Sequence, residues 1–214
     1  MTEAFVGRER ELADLEERLD LTLRGNGQTC FIVGQAGSGK TALAQHLIER
    51  ALAAEGELAV AAGACNAQTG IGDPYLPFRE ALTALSGEEQ QAQGTQQGGP
   101  VNLARLRALA AISGRLLIEA APDLVGLVIP GAGLAGRLGK AIAVSAGWTD
   151  DLKAQIRPGK ARDAGIVEQS RIFEQYEAFL RRLSARAPLL LFLDDLQWAD
   201  GPSIALLFHL ARSL

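Results

Sequence analysis

Residues 34–41 read GQAGSGKT, with Gly34 and Gly39 bracketing a short segment that runs into Lys40 and Thr41. The octet follows a β-prone run, Thr29 to Val33 (TCFIV), and precedes Leu43, Leu47, Ile48 and Leu52 at helical spacing. A strand that breaks at a glycine-rich turn and resumes as a helix admits few folds, and it favours a parallel sheet covered by helices. Composition alone would produce about 0.004 such octets in a chain of this length.

The physical reason for the pattern is anion binding. Glycines let successive backbone N–H groups turn inward as a concave nest, and the following helix presents the positive end of its dipole. Lys40 would bridge β- and γ-phosphates as a point charge, and the Thr41 hydroxyl would ligate Mg²⁺. The expected phosphate contacts are Gly34, Gln35, Ala36, Gly37, Ser38, Gly39, Lys40, Thr41 and Ala42.

A phosphate loop cannot hold the metal alone, so an acidic residue is needed at the end of a neighbouring buried strand. Leu189 to Asp195 (LLLFLDD) supplies it. The run is apolar without alternation, which predicts a strand buried on both faces. Asp194 is the expected second metal residue, and Asp195 the expected catalytic carboxylate that polarises the attacking water. Because Asp reaches less far than Glu, slow turnover is expected. No Asn-Lys-x-Asp string occurs, so adenine is favoured over guanine, with Phe5, Val6, Gly7 and Arg8 as candidate base contacts. The expected cofactors are ATP and Mg²⁺.

Composition excludes several other classes. With 48% hydrophobic and 21% charged residues, the chain has apolar surface enough to fold, so it is neither disordered nor built like collagen. A net charge of −4 exerts no bulk pull on nucleic acid, and none is expected to bind this segment directly. The N-terminus is charged, and the longest uncharged apolar run, Leu124 to Gly136, is interrupted by Pro130, so no membrane span is expected. Cys30 and Cys65 lie in or beside apolar runs and read as small buried hydrophobes in a cytoplasmic protein. His46 and His209 have no partners at metal or triad spacing and read as surface or packed residues.

Around the loop, Leu12, Leu15, Leu19 and Leu23 predict a helix from Glu9 to about Arg24, ended by Gly25, Asn26 and Gly27. A second strand is expected over Glu57 to Ala64. Residues 66–165 show no strand pattern and read as a helical insertion, with helices at Leu103 to Leu117 and Leu134 to Val144. Within it, 86–100 is glutamine-rich and expected to be a mobile loop, and Thr149 to Gly165 a linker. Ile166 onward predicts a helix ending before Pro188, with the Arg171, Arg181, Arg182 and Arg186 set on its solvated face. Tyr75, Pro77 and Phe78 read either as an interface or as a turn into a helix. A last helix is expected from Ser203, with Asp200 as its cap and Trp198 packed.

With FVGRERELADLEERL, GQAGSGKT and LLLFLDDLQWAD in view, the chain resembles the AAA-like ATPase module of signal-transduction ATPases with numerous domains, found in large LuxR-type regulators and multidomain cyclase-associated proteins. Asn66 to Leu82 also looks like the corresponding region of such modules. The resemblance implies an α/β P-loop NTPase fold over residues 1–214, AAA-like, with the 66–165 insertion and a truncated C-terminal part. It implies that Phe5 to Arg8 border the adenine pocket, that Gly34 to Thr41 hold phosphate and Mg²⁺, that Asp194 serves the metal, and that Asp195 is catalytic or sensing. Gln197, Trp198 and Asp200 match the tail of the motif.

Such modules continue into a sensor strand and a helical lid, which are expected to be absent from a chain ending at Leu214. The function so implied is a slowly hydrolysing ATP switch in a signalling or transcriptional regulator. It would bind ATP or ADP and other domains of a larger chain, and the resemblance allows a nucleotide-dependent oligomer. A motor or replication-loader ATPase and a nucleotide-independent scaffold remain alternatives.

Overall fold

The structure is a computed structural model that describes residues 7–67, 74–85 and 165–213, with isolated positions 112, 113, 116, 117, 121 and 124. Phe5, Val6, the 86–100 loop, the Leu134 to Val144 helix, most of the Leu103 to Leu117 helix and nearly all of the Thr149 to Gly165 linker lie outside the described residues. The described elements are α1 (Glu9–Leu23), α2 (Lys40–Ala54), β1 (Ala59–Ala64), α3 (Leu76–Leu85), α4 (Gly165–Ser184), β2 (Leu189–Asp194), a 3-10 turn (Leu196–Trp198) and α5 (Gly201–Ser213). No described helix is long and apolar enough to cross a membrane.

Two compact units divide the chain. The first comprises Met1–Pro77 and Ala187–Leu214. In it β1 and β2 pair in parallel, with Ala59 opposite Leu189 and Ala64 opposite Asp194. Parallel neighbours need a crossover between them, and the chain travels from Ala64 to Leu189 before pairing. The register brings the carboxyl ends of both strands level, which is where ligands bind in open α/β sheets. Cys65 N–H extends the ladder by donating to Asp194 O at 3.1 Å.

Two expectations about the sheet need correcting. Thr29–Val33 joins no strand ladder among the described residues. Without a hydrogen-bonded neighbour it is left uncovered: Phe31 is 54% and Val33 89% exposed, and Cys30 is exposed as well. Burial still pushes the Cys30 thiol upward from its ordinary range, with Arg18 opposing. Cys65 is buried as expected. Likewise β2 is half-buried at all six positions rather than buried on both faces, because β1 is its one ladder partner among the described residues.

The helices follow their apolar spacing. Leu12 of α1 and Leu43, Ala44 and Ala51 of α2 are buried, and an Arg50–Glu16 ion pair of 2.9 Å links the solvent side of the two helices. Exposed pairs of that kind contribute at most about 1 kcal/mol. α1 stops in a Schellman arrangement, in which Asn26 N–H donates to Leu21 O at 3.0 Å and Gly25 N–H to Thr22 O at 2.9 Å. Gly25, at φ 90°, supplies the left-handed residue this needs. On β1 the buried positions are Ala59, Ala61 and Gly63, all small. The reason lies at Gly63, where an added Cβ would meet Pro77 O at 1.8 Å.

The second unit spans Phe78–Arg186. Ile172, Tyr176, Phe179 and Leu183 form the buried stripe of α4, while Arg171, Arg181, Arg182 and Arg186 face solvent as expected. Arg181 pairs with Glu177 one turn earlier at 2.9 Å. Phe78, Ala81, Leu82 and Leu85 on α3 are buried, as are Leu116, Leu117, Ala121 and Leu124. Tyr176 stands edge-on to Phe78, with ring centroids 5.3 Å apart, and its hydroxyl donates to Phe78 O at 3.1 Å. Tyr75, Pro77 and Phe78 are buried at the turn into α3, where Tyr75 adopts φ 63°.

Burial pushes the Tyr176 phenol far above its ordinary range. The folded state therefore favours the neutral form, and the stability it contributes is complete below about pH 10, the unfolded value, and is lost as pH rises beyond it. Tyr176→Phe is expected to cost about 1 kcal/mol near neutral pH through the lost hydrogen bond. Above pH 10 the wild type should lose up to about 1.4 kcal/mol per pH unit that the variant does not. Denaturant titrations at pH 8 and pH 11 check this, and parallel losses in both proteins would refute it.

Candidate functional site

The turn at Ala36 and Gly37 and the bend at Ser38 and Gly39 lead directly into α2. Gly37 and Gly39 take φ of 75° and 79°, a region that side chains with a Cβ rarely occupy. Ser38 N–H closes the turn on Gln35 O at 3.2 Å, and Leu43 N–H makes the first helical bond to Gly39 O at 2.9 Å. No side chain caps α2. The N–H groups of Lys40, Thr41 and Ala42 therefore lack intrahelical partners and sit at the positive end of the helix dipole.

Within this loop Lys40 Nζ donates to Gly34 O at 3.1 Å and Gln35 O at 3.0 Å. An ammonium has three donors, so the loop holds the charge in place while one donor remains for an anion. Ser38 Oγ is buried without a hydrogen-bond partner, and an added Cβ on Gly34 would approach it to 2.8 Å. Uncapped N–H groups at a helix start, a tethered cation and an unsatisfied buried hydroxyl together fit a polyphosphate.

The acidic element meets this loop from the far end of the sequence. Thr41 Oγ1 donates to Asp194 Oδ2 at 2.8 Å, across 153 residues. The other carboxylate oxygen, Oδ1, accepts from Asp195 N–H at 2.9 Å, so the strand end itself orients the side chain. Among the described residues no group of three or more His, Cys, Asp or Glu side chains gathers. One hydroxyl and one carboxylate suit Mg²⁺, which keeps most of its waters and takes phosphate oxygens.

Asp195 leaves the strand in the left-handed region, at φ 55° and ψ 37°. Asp tolerates this conformation better than most residues, and it turns the chain into the 3-10 segment closed by Trp198 N–H on Asp195 O at 2.9 Å. The turn lets Gln197 Nε2 donate back to Asp195 Oδ1 at 2.7 Å. Sequence reasoning placed Gln197 only in the tail of the motif. Its signal is an amide side chain two residues beyond a carboxylate that begins a turn.

Asp200 is the cap expected of it. Its Oδ1 accepts from Ser203 N–H at 2.8 Å and its Oδ2 from the Ser203 hydroxyl at 2.5 Å, satisfying a donor at the start of α5. Trp198 is not packed: it is 52% exposed, because its three-residue turn buries no side chain.

The opening segment also reaches the loop. The Arg8 guanidinium donates to Ser38 O, so Arg8 touches the phosphate loop itself. Gly7, at φ 90°, donates its N–H to Glu9 Oε1 at 3.2 Å. Hydrogen bonds from backbone N–H groups, its own and that of Gly7, hold the Glu9 carboxyl below the usual range. The site thus gathers Arg8, Gly34 to Ala42, Asp194 and Asp195 within the first unit.

A family model described as AAA ATPase domain matches residues 4–214. Neither the curated proteins nor the solved structures yield a match.

Proposed function

Because the chain belongs to the AAA ATPase domain family and is thereby a nucleotide-binding ATPase module, we propose that it is a slowly hydrolysing, Mg²⁺-dependent ATP switch within a multidomain signalling or transcriptional regulator. The observation that carries this reading is the 2.8 Å bond between Thr41 and Asp194, which joins the phosphate loop to the end of β2. The regulator context draws its support from the FVGRE opening and the DDLQWAD segment.

In this reading the N–H groups of Gly37 to Ala42 and the Lys40 ammonium bind the β- and γ-phosphates. Thr41 Oγ1 and Asp194 would hold Mg²⁺, which when bound would neutralise charge on the phosphate oxygens. Asp195 orients the attacking water and takes up its proton on the carboxylate. Slow turnover suits an Asp in that role, one methylene shorter than Glu. A switch also requires the nucleotide to prefer one arrangement of the protein. Moving a 1:99 equilibrium to 99:1 takes about 5.5 kcal/mol of differential binding.

Thermal shift with ATP and Mg²⁺, paired with steady-state phosphate release, tests the proposal. Stabilisation with turnover below about 1 s⁻¹ supports the switch. Turnover well above that points to a motor, and no response to nucleotide points to a scaffold. Asp195→Asn is expected to lower kcat by about 100-fold with ATP affinity within threefold of wild type, since general-base groups contribute on that order. Undiminished hydrolysis in that variant would remove Asp195 from the reaction.

A further inference from the structure

Both carboxylates of the site are restrained by a side chain, Asp194 by Thr41 and Asp195 by Gln197. Asp195 Oδ1 accepts from Gln197 Nε2 at 2.7 Å, a distance typical of bonds to ionised acceptors. Its backbone is fixed on both sides, by its own N–H on Asp194 Oδ1 and by its carbonyl on Trp198 N–H. The side chain keeps its own torsions, and the Gln197 amide restricts them. Oδ2 then has no hydrogen bond to another described residue and stays available to a proton.

We propose that Gln197 is a positioning residue for Asp195: its amide pins Oδ1 so that Oδ2 serves as the proton acceptor. This deepens the ATPase reading and rests on it. Both side chains are solvent-exposed, so water competes with the bond, which shifts the rotamer population of the carboxylate rather than stabilising the fold. Its effect is to restrict the carboxylate to one orientation. Misplaced reacting groups lose rate steeply, and about tenfold is the expected loss for a carboxylate freed to rotate. Binding of nucleotide, which depends on the loop and on Asp194, is unaffected.

The discriminating variants are Gln197→Met, which keeps the length and removes the donor, and Gln197→Glu, which keeps the shape and sets a second carboxylate against Asp195. We expect kcat to fall about tenfold in Q197M and further in Q197E, with KM and the Kd for ATP within twofold of wild type. In the Asp195→Asn background Q197M should change kcat by less than twofold, because the two residues act as one unit. A readout independent of turnover is the Gln197 side-chain amide resonance in nucleotide-free protein. It should move on Asp195→Ala substitution, since the acceptor is then gone.

Wild-type kcat in Q197M, a parallel loss of ATP affinity, an undiminished Q197M effect in Asp195→Asn, or an amide resonance indifferent to Asp195→Ala would each overturn the proposal. A wild-type protein that binds but never hydrolyses ATP would instead overturn the ATPase reading on which it stands.

Discussion

Lys40→Ala is expected to weaken ATP–Mg²⁺ binding by at least about 100-fold. The loop holds the ammonium through Gly34 O and Gln35 O. Charge-assisted hydrogen bonds contribute about 1.5–3 kcal/mol each, and every 1.4 kcal/mol is a tenfold change in Kd. The fold should tolerate the change, because Lys40 sits at the first turn of α2 and its side-chain hydrogen bonds are exposed. Isothermal titration gives the affinity and circular dichroism the integrity of the fold. Near-wild-type affinity in a folded K40A protein would show that the loop does not grip a polyphosphate.

The second large effect is on stability. In Gly63→Ala the new methyl would overlap Pro77 O, at 1.8 Å from the ideal Cβ position. The obstructing atom is backbone, so no rotamer change relieves it, and either β1 or the turn before α3 must move. Overpacking of this kind costs about 3 kcal/mol, the upper part of the usual range. For a chain of this length that lowers Tm by roughly 6–12 °C. Because Gly63 lies on the ladder opposite Leu193, one residue before Asp194, displacement of β1 should also loosen the acidic strand end. A scanning calorimetry trace unchanged from wild type would mean that Pro77 and Gly63 do not approach as described.

Elements whose formation depends on local sequence were legible in advance. α1, α2, α4 and α5 follow apolar spacing and end signals, and Gly25 and Asp200 serve at helix ends as their chemistry predicts. β1 and β2 were visible as short apolar runs bounded by turn residues. The glycine-rich loop was legible because its chemistry demands particular residues at fixed spacing, and the place of Asp194 because an acidic residue was expected at the end of a neighbouring strand.

What the sequence hid depends on neighbours. Thr29 to Val33 has the composition of a strand, yet a strand exists only beside a partner, and composition does not name the partner. The same holds for β2, whose apolar run predicted two covered faces and which is half-buried. Arg8 was readable as part of the opening motif, but its reach across thirty residues to Ser38 O was not. Trp198 looked like a core residue by type, and its exposure follows from a turn too short to bury anything.

Phe31 and Val33 present a strip of hydrocarbon to water at the foot of the phosphate loop. Surfaces of that kind are tacky, and two copies meeting there shed ordered solvent from both. The repulsion that opposes such an encounter comes from a net charge of only −4. Dissolved electrolyte shortens the range of that repulsion, so the colloidal behaviour of the chain is tied to the ionic strength in which it is kept.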